Sequence, residues 1–170
     1  MIANLDHLQV TLYENLSRDE AHAEIRKTLA KKLGYEPEIL RTEKGKPYVK
    51  DNPLYFSVSH SQNKTVLAVS DAPVGIDMEI FPSGKSYAHI ARHLSERERS
   101  ETQTERDFYT HWTVKEAYIK MLGSTLAEMY RDLEYVGGNL LYKGENVGGQ
   151  RYQQATDKGV LSIYMPYRGI

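Results

Sequence analysis

The apolar positions of this chain change period along its length, and the changes mark where elements begin and end. Residues 7–16 alternate loosely, with Leu8, Val10 and Leu12 on one side, which predicts a strand. Ser17 followed three residues later by Glu20 predicts a capping box. The helix it opens carries Ala21, Ile25, Leu29 and Leu33 on one stripe and stops at Gly34. Gly45-Lys46-Pro47 reads as a turn before a short extended piece at Tyr48 and Val49. Strands are predicted over residues 54–59, ending in a Ser59-His60-Ser61 turn, and over residues 65–70. Asp71-Ala72-Pro73 then turns into a third strand, Val74 to Ile80.

Beyond a linker at residues 82–86, helical spacing returns. Short helices are expected at residues 88–93 and 95–102, the second opened by Ser95 and Glu98, and a long one at about 106–122, ended by Gly123. The remainder reads as strands at 133–136, 139–142, 152–155 and 160–164, the first two joined by Gly137-Gly138. The pattern predicts an α+β fold of two similar halves, residues 1–82 and 83–170, packed around a central cleft. No internal sequence repeat accompanies it.

Composition narrows the function. The 170 residues carry a formal net charge of −1 and no cysteine. The first gives no global field for nucleic acid or an anionic membrane. The second removes disulfides, thiolate catalysis and Cys-ligated zinc. No basic leader or run of roughly 18 apolar residues is visible, so the expectation is a cytoplasmic protein. Charge is uneven locally: residues 26–50 hold eight Lys or Arg against three Glu, enough to hold a phosphorylated cofactor or simply to solvate a helix and turn.

The most informative segment is Gly75-Ile76-Asp77-Met78-Glu79. On a strand, residues two apart share a face, so Asp77 and Glu79 project together while Ile76, Met78 and Ile80 face a core. Paired carboxylates need a shared proton, a basic partner or a cation. Alone they also fit an ordinary solvated strand face. On the long helix, Glu116 and Lys120 are four apart and Trp112 is four before Glu116, a spacing equally suited to a surface ion pair and a core aromatic. Together, Asp77, Glu79 and Glu116 would form an all-oxygen site for a hard cation such as Mg²⁺ bound with substrate phosphates. Lys120 and His60 are placed to hold phosphate. No P-loop, dinucleotide fingerprint or nucleophile elbow is present.

Four motifs in order, Gly45-Lys46-Pro47, Phe56-Ser57-Val58-Ser59-His60-Ser61, Gly75-Ile76-Asp77-Met78-Glu79 and Trp112-Thr113-Val114-Lys115-Glu116-Ala117-Tyr118-Ile119-Lys120, resemble the 4′-phosphopantetheinyl transferases of the surfactin-synthetase-activating type. The resemblance covers about residues 17–126. It implies transfer of the 4′-phosphopantetheine arm of coenzyme A to a serine of an apo acyl or peptidyl carrier protein, with release of 3′,5′-ADP. By resemblance, Asp77, Glu79 and Glu116 would ligate Mg²⁺ or Mn²⁺. Glu116 would be the base and Lys120 the acid or charge stabiliser. His60 and Lys120 would contact the coenzyme A phosphates, and Lys46 and Ser59 its 3′-phosphate and adenosine end. The partners would be coenzyme A and a locally acidic carrier protein, with no nucleic acid or membrane, and the chain would act as a monomer.

Three departures stand out. Ser57 replaces the usual Asn. The basic lead-in before the first helix is missing, with Arg26, Lys27 or Lys31 as substitutes. Ser124-Thr125-Leu126 replaces a basic, glycine-rich stretch. The rival readings are a degenerate relative that binds coenzyme A or a carrier protein without transfer, another Mg²⁺-dependent phosphotransferase, and a structural protein with coincidental motifs.

Overall fold

The computed structural model describes residues 7–81 and 87–167. The linker expected at 82–86, and with it the division between residues 82 and 83, lies outside them. The elements in order are β1 (Leu8–Glu14), α1 (Arg18–Leu33), β2 (Ile39–Arg41), β3 (Pro47–Val49), β4 (Tyr55–Ser61), β5 (Lys64–Ser70), β6 (Gly75–Ile80), α2 (Tyr87–Ala91), α3 (Glu96–Glu101), α4 (Glu105–Leu122), α5 (Leu126–Asp132), β7 (Leu133–Val136), β8 (Asn139–Tyr142), β9 (Glu145–Asn146), β10 (Gln150–Ala155) and β11 (Gly159–Met165). The architecture is mixed α+β. No helix among the described residues is long and apolar enough to cross a membrane.

Two antiparallel sheets organise the molecule, in strand orders β1-β5-β4 and β10-β11-β6. The second joins distant parts of the chain: β6 pairs with β11 in a register that sets Asp77 opposite Ser162. Side chains rather than a backbone ladder stitch the two sheets together. The hydroxyls of Ser57, Ser59 and Ser61 on β4 accept from the backbone N–H groups of Ile76, Met78 and Ile80 at 3.1, 3.2 and 3.0 Å. Each pair is 19 residues apart, so β4 and β6 run in the same direction. This explains why the Ser-His-Ser segment continues the strand instead of forming the expected turn. Its serines are needed at the pleat spacing that matches β6, and the chain reverses later, at Gln62, which takes the left-handed conformation (φ 52°).

Helices α1, α3 and α4 begin and end where their sequence signals place them, while α2 spans Tyr87–Ala91, ending two residues before the expected 93. Ser17 and Glu20 form the capping box of α1, which ends at left-handed Gly34. Ile25 and Leu29 of α1 pack with Phe56, Leu67 and Val69. The core beneath β6 takes Ile76 and Met78 with Val66 and Ile163, as the alternation predicted. Around α4, Phe108, Trp112, Val114 and Tyr118 are buried with Met129, Leu133 and Tyr164. Trp112 is therefore a core aromatic, stacked on Phe108 at 5.8 Å between ring centroids.

Helix α5 falls where the sequence reading placed no element. Thr125 and Glu128 cap it reciprocally, a Thr-x-x-Glu signal of the same kind as the capping boxes at Ser17 and Ser95.

Candidate active site

Gly75 allows the site to assemble. A Cβ built there would lie 1.8 Å from the Ala117 carbonyl oxygen and 2.5 Å from the Met121 amide nitrogen. Only glycine lets the α4 backbone rest on β6. Small Ala117 on the helix completes the contact, and Glu116 and Lys120 flank it in sequence. The helix is also tied to the strand beyond β6, because the Thr113 and Ser162 hydroxyls hydrogen-bond at 2.8 Å.

The constellation centres on Asp77, which is only 4 % exposed. Its Oδ1 accepts from Lys120 Nζ at 2.6 Å and from Ser59 Oγ at 2.8 Å. Its Oδ2 is buried and has no hydrogen-bond partner. Glu79 Oε2 accepts from Ser61 Oγ at 3.0 Å. Burial and the neighbouring Asp77 and Glu79 charges, partly countered by Lys120, push the Glu116 carboxyl up from 4.5 to about 7. For Lys120, burial pulls the ammonium pKa down, but the Asp77 and Glu116 charges outweigh it and hold the group above its ordinary value.

Among the described residues, no three His, Asp or Glu side chains are gathered as a group that could hold a metal ion. The donor chemistry nevertheless suits a hard cation. Three carboxylates share one electrostatic neighbourhood, and one buried carboxylate oxygen is unsatisfied, which costs free energy until a donor or cation reaches it.

Beside this constellation opens a cleft of about 690 Å³. Its lining includes Arg18, Arg26, Arg41, Lys44, Lys46 and Lys120, two histidines and no Asp or Glu. Four of these cations come from the basic run at 26–50; Lys27, the suggested substitute contact, instead pairs with Glu24 at 2.6 Å. Lys31 is not part of the lining. Arg18 and His22, at the start of α1, also line the cleft, although Asp19, Glu20 and Glu24 surround them in sequence and leave no basic cluster there.

His60 lines the cleft. Its Nδ1 is 2.7 Å from Thr65 Oγ1 across the β4–β5 hairpin, and its ring meets His22 edge-on at 5.7 Å. Burial, with the Arg18, His22 and Lys120 charges, holds His60 below the usual imidazole pKa. It is therefore a predominantly neutral donor or acceptor at neutral pH. Lys46 also lines the cleft, with its ammonium on the Met121 carbonyl and its stem against Gly123. Burial lowers its pKa. Ser59, expected at the adenosine end of a bound cofactor, is buried on β4, where its hydroxyl faces β6, accepting from the Met78 N–H and donating to Asp77 Oδ1.

Two further residues have structural work that spacing alone does not reveal. Lys115 forms an ion pair with Glu98 at 2.8 Å, each side chain 1 % exposed. Glu98 also accepts from the Tyr135 and Ser95 amides, so this pair locks α3, α4 and β7 together on the side of α4 away from Lys120. Glu128, while capping α5, accepts from Lys44 at 2.7 Å. The Lys44 and Ser124 hydrogen bonds bring its carboxyl down to about 2.

Residues 73–138 match the family model described as the 4′-phosphopantetheinyl transferase superfamily. The chain is 33 % identical over 150 residues to the 4′-phosphopantetheinyl transferase gsp of Aneurinibacillus migulanus, covering 84 % of this chain and 60 % of that protein. It is 34 % identical over 113 residues to a 4′-phosphopantetheinyl transferase of Bacillus subtilis, covering 61 % and 50 %. It is 33 % identical over 134 residues to the rat L-aminoadipate-semialdehyde dehydrogenase-phosphopantetheinyl transferase, covering 65 % and 43 %. The chain thus spans about half the length of the curated relatives it matches.

Proposed function

We propose, from its membership of the 4′-phosphopantetheinyl transferase superfamily, that this chain moves the 4′-phosphopantetheine arm of coenzyme A to a serine hydroxyl of an apo carrier protein. The observation that carries the reading is the meeting of Glu116, Lys120 and Asp77 at the edge of a cleft lined by cations and free of carboxylates.

The chemistry needs three things from the protein. Coenzyme A is a polyanion, and the cleft supplies Arg18, Arg41 and His60 to bind and orient its phosphates. The reaction forms a bond from the carrier serine oxygen to the β-phosphorus and breaks the bond from that phosphorus to the bridging oxygen. 3′,5′-ADP leaves with the electron pair. The serine proton needs an acceptor, and a carboxyl poised near 7 is well matched to take it at neutral pH. Negative charge on the transferring phosphoryl and the leaving group needs a fixed cation, and Lys120, held in place by Asp77, provides one without reorganisation. A Mg²⁺ or Mn²⁺ ion held by Asp77, Glu79 and Glu116 would add charge neutralisation at the pyrophosphate. No covalent enzyme intermediate is required.

The test is intact-mass analysis of an apo acyl carrier protein incubated with this protein, coenzyme A and Mg²⁺, with EDTA in a parallel sample. A gain of one phosphopantetheine that EDTA abolishes is the expected result. No gain across fatty-acid, polyketide and peptide carrier proteins, with coenzyme A still bound, overturns transfer in favour of a binding module.

A further inference from the structure

We propose that Ser59 and Ser61 are positioning residues that fix the carboxylates of Asp77 and Glu79 for a divalent cation. The proposal rests on the reading that these carboxylates hold one. The two serines repeat one geometry. Ser59 Oγ accepts the Met78 N–H at 3.2 Å and donates to Asp77 Oδ1 at 2.8 Å. Ser61 Oγ accepts the Ile80 N–H at 3.0 Å and donates to Glu79 Oε2 at 3.0 Å. In each case the backbone amide approaches the hydroxyl oxygen, and the hydroxyl proton goes to the carboxylate one residue earlier on β6. A hydroxyl has a single proton to give, so its direction is set by the strand and not by solvent.

The consequence is a defined orientation for both carboxylates before any ligand arrives. With Oδ1 of Asp77 held by Ser59 and Lys120, Oδ2 is the atom left without a partner. Hydrogen bonds behind a ligating group commonly govern metal affinity by 10–100-fold.

Ser57 provides the internal control. It makes the same bond to β6, accepting from Ile76 N–H at 3.1 Å, but the residue before Ile76 is Gly75, which offers no carboxylate. The three serines therefore share the stitching of β4 to β6, and only two of them serve the site.

The experiment compares Ser57→Ala, Ser59→Ala and Ser61→Ala in the full chain, using Mn²⁺ binding by electron paramagnetic resonance, urea midpoints and side-chain carboxyl ¹³C resonances without metal. All three variants are expected to lose a comparable amount of urea midpoint. Ser59→Ala and Ser61→Ala should weaken Mn²⁺ binding by about 10–100-fold, while Ser57→Ala should leave it unchanged. In the metal-free protein, Ser59→Ala should shift the Asp77 carboxyl resonance and Ser61→Ala that of Glu79. If Ser59→Ala does not fold, Ser61→Ala and the Glu79 resonance carry the same comparison. A parent protein without Mn²⁺ affinity overturns the cation reading and the proposal with it. A parent that binds Mn²⁺, alongside serine variants that bind it equally well or a Ser57→Ala that loses as much as the others, overturns the proposal alone.

Discussion

Replacing Glu116 with glutamine tests whether this carboxyl is held in a destabilised state. The group is raised from 4.5 to about 7 by burial and by Asp77 and Glu79. The folded protein then binds more protons than the unfolded chain between those two values. Stability is therefore full below about pH 4.5 and declines as pH rises through 7. At about 1.36 kcal/mol per pH unit, the displacement costs the metal-free fold roughly 3 kcal/mol at pH 8. Glutamine keeps the shape and removes the charge. Urea unfolding in EDTA should find Glu116→Gln equal to the parent at pH 4.5 and about 3 kcal/mol more stable at pH 8. Saturating Mg²⁺ should narrow that gap by stabilising the parent. Transfer activity should fall by about 10²–10⁴-fold. A stability difference that is the same at both pH values would refute the argument.

Three other substitutions probe separate parts of the framework. Lys115→Met leaves Glu98 charged and unpaired in the interior and should cost about 3–5 kcal/mol in urea unfolding; a loss below about 1 kcal/mol would mean that the Ser95 and Tyr135 amides alone satisfy Glu98. Lys120→Ala should lower kcat far more than it raises KM for coenzyme A in steady-state kinetics, since its charge acts on the transferring phosphoryl; unchanged turnover would reduce it to a structural partner of Asp77. Gly75→Ala drives a methyl into the α4 backbone, so α4 must lift from β6. The expected cost is about 1–3 kcal/mol or more, with loss of activity beyond the loss of folded protein, read by thermal unfolding and by transfer assay of the soluble fraction.

Local signals carried the sequence reading far. The capping boxes at Ser17 and Ser95, the left-handed glycines at 34 and 123, and the alternation around Asp77 each depend on neighbours a few residues away, and each took the expected form. Asp77 and Lys120, carried by two of the four motifs, form an ion pair in the fold. What escaped depends on tertiary context. The Ser-His-Ser segment looks like a turn until β6 lies beside it and consumes its hydroxyls. The buried partner of Lys115, Glu98, comes from another helix and is set by the packing of α3 on α4. Arg18 and His22 join the cleft through the placement of α1, which composition cannot convey. Helix α5 is the exception, since its Thr125 and Glu128 signal was local and readable.

The position of β6 has a consequence for biogenesis. This strand receives hydroxyl bonds from β4, which precedes it closely, but its backbone ladder comes from β11, at Gly159–Met165. On the ribosome, where synthesis proceeds at about 5–20 residues per second, the Asp77-bearing strand emerges seconds before the partner that covers its other edge. Until then it is an unpaired sheet edge, the kind of surface that invites pairing with other chains, and its two carboxylates are the charges that discourage such pairing. The acidic residues proposed to serve the reaction would therefore act first as gatekeepers of the nascent chain. Neutral substitutions at Asp77 or Glu79 should lower the yield of soluble protein as well as activity.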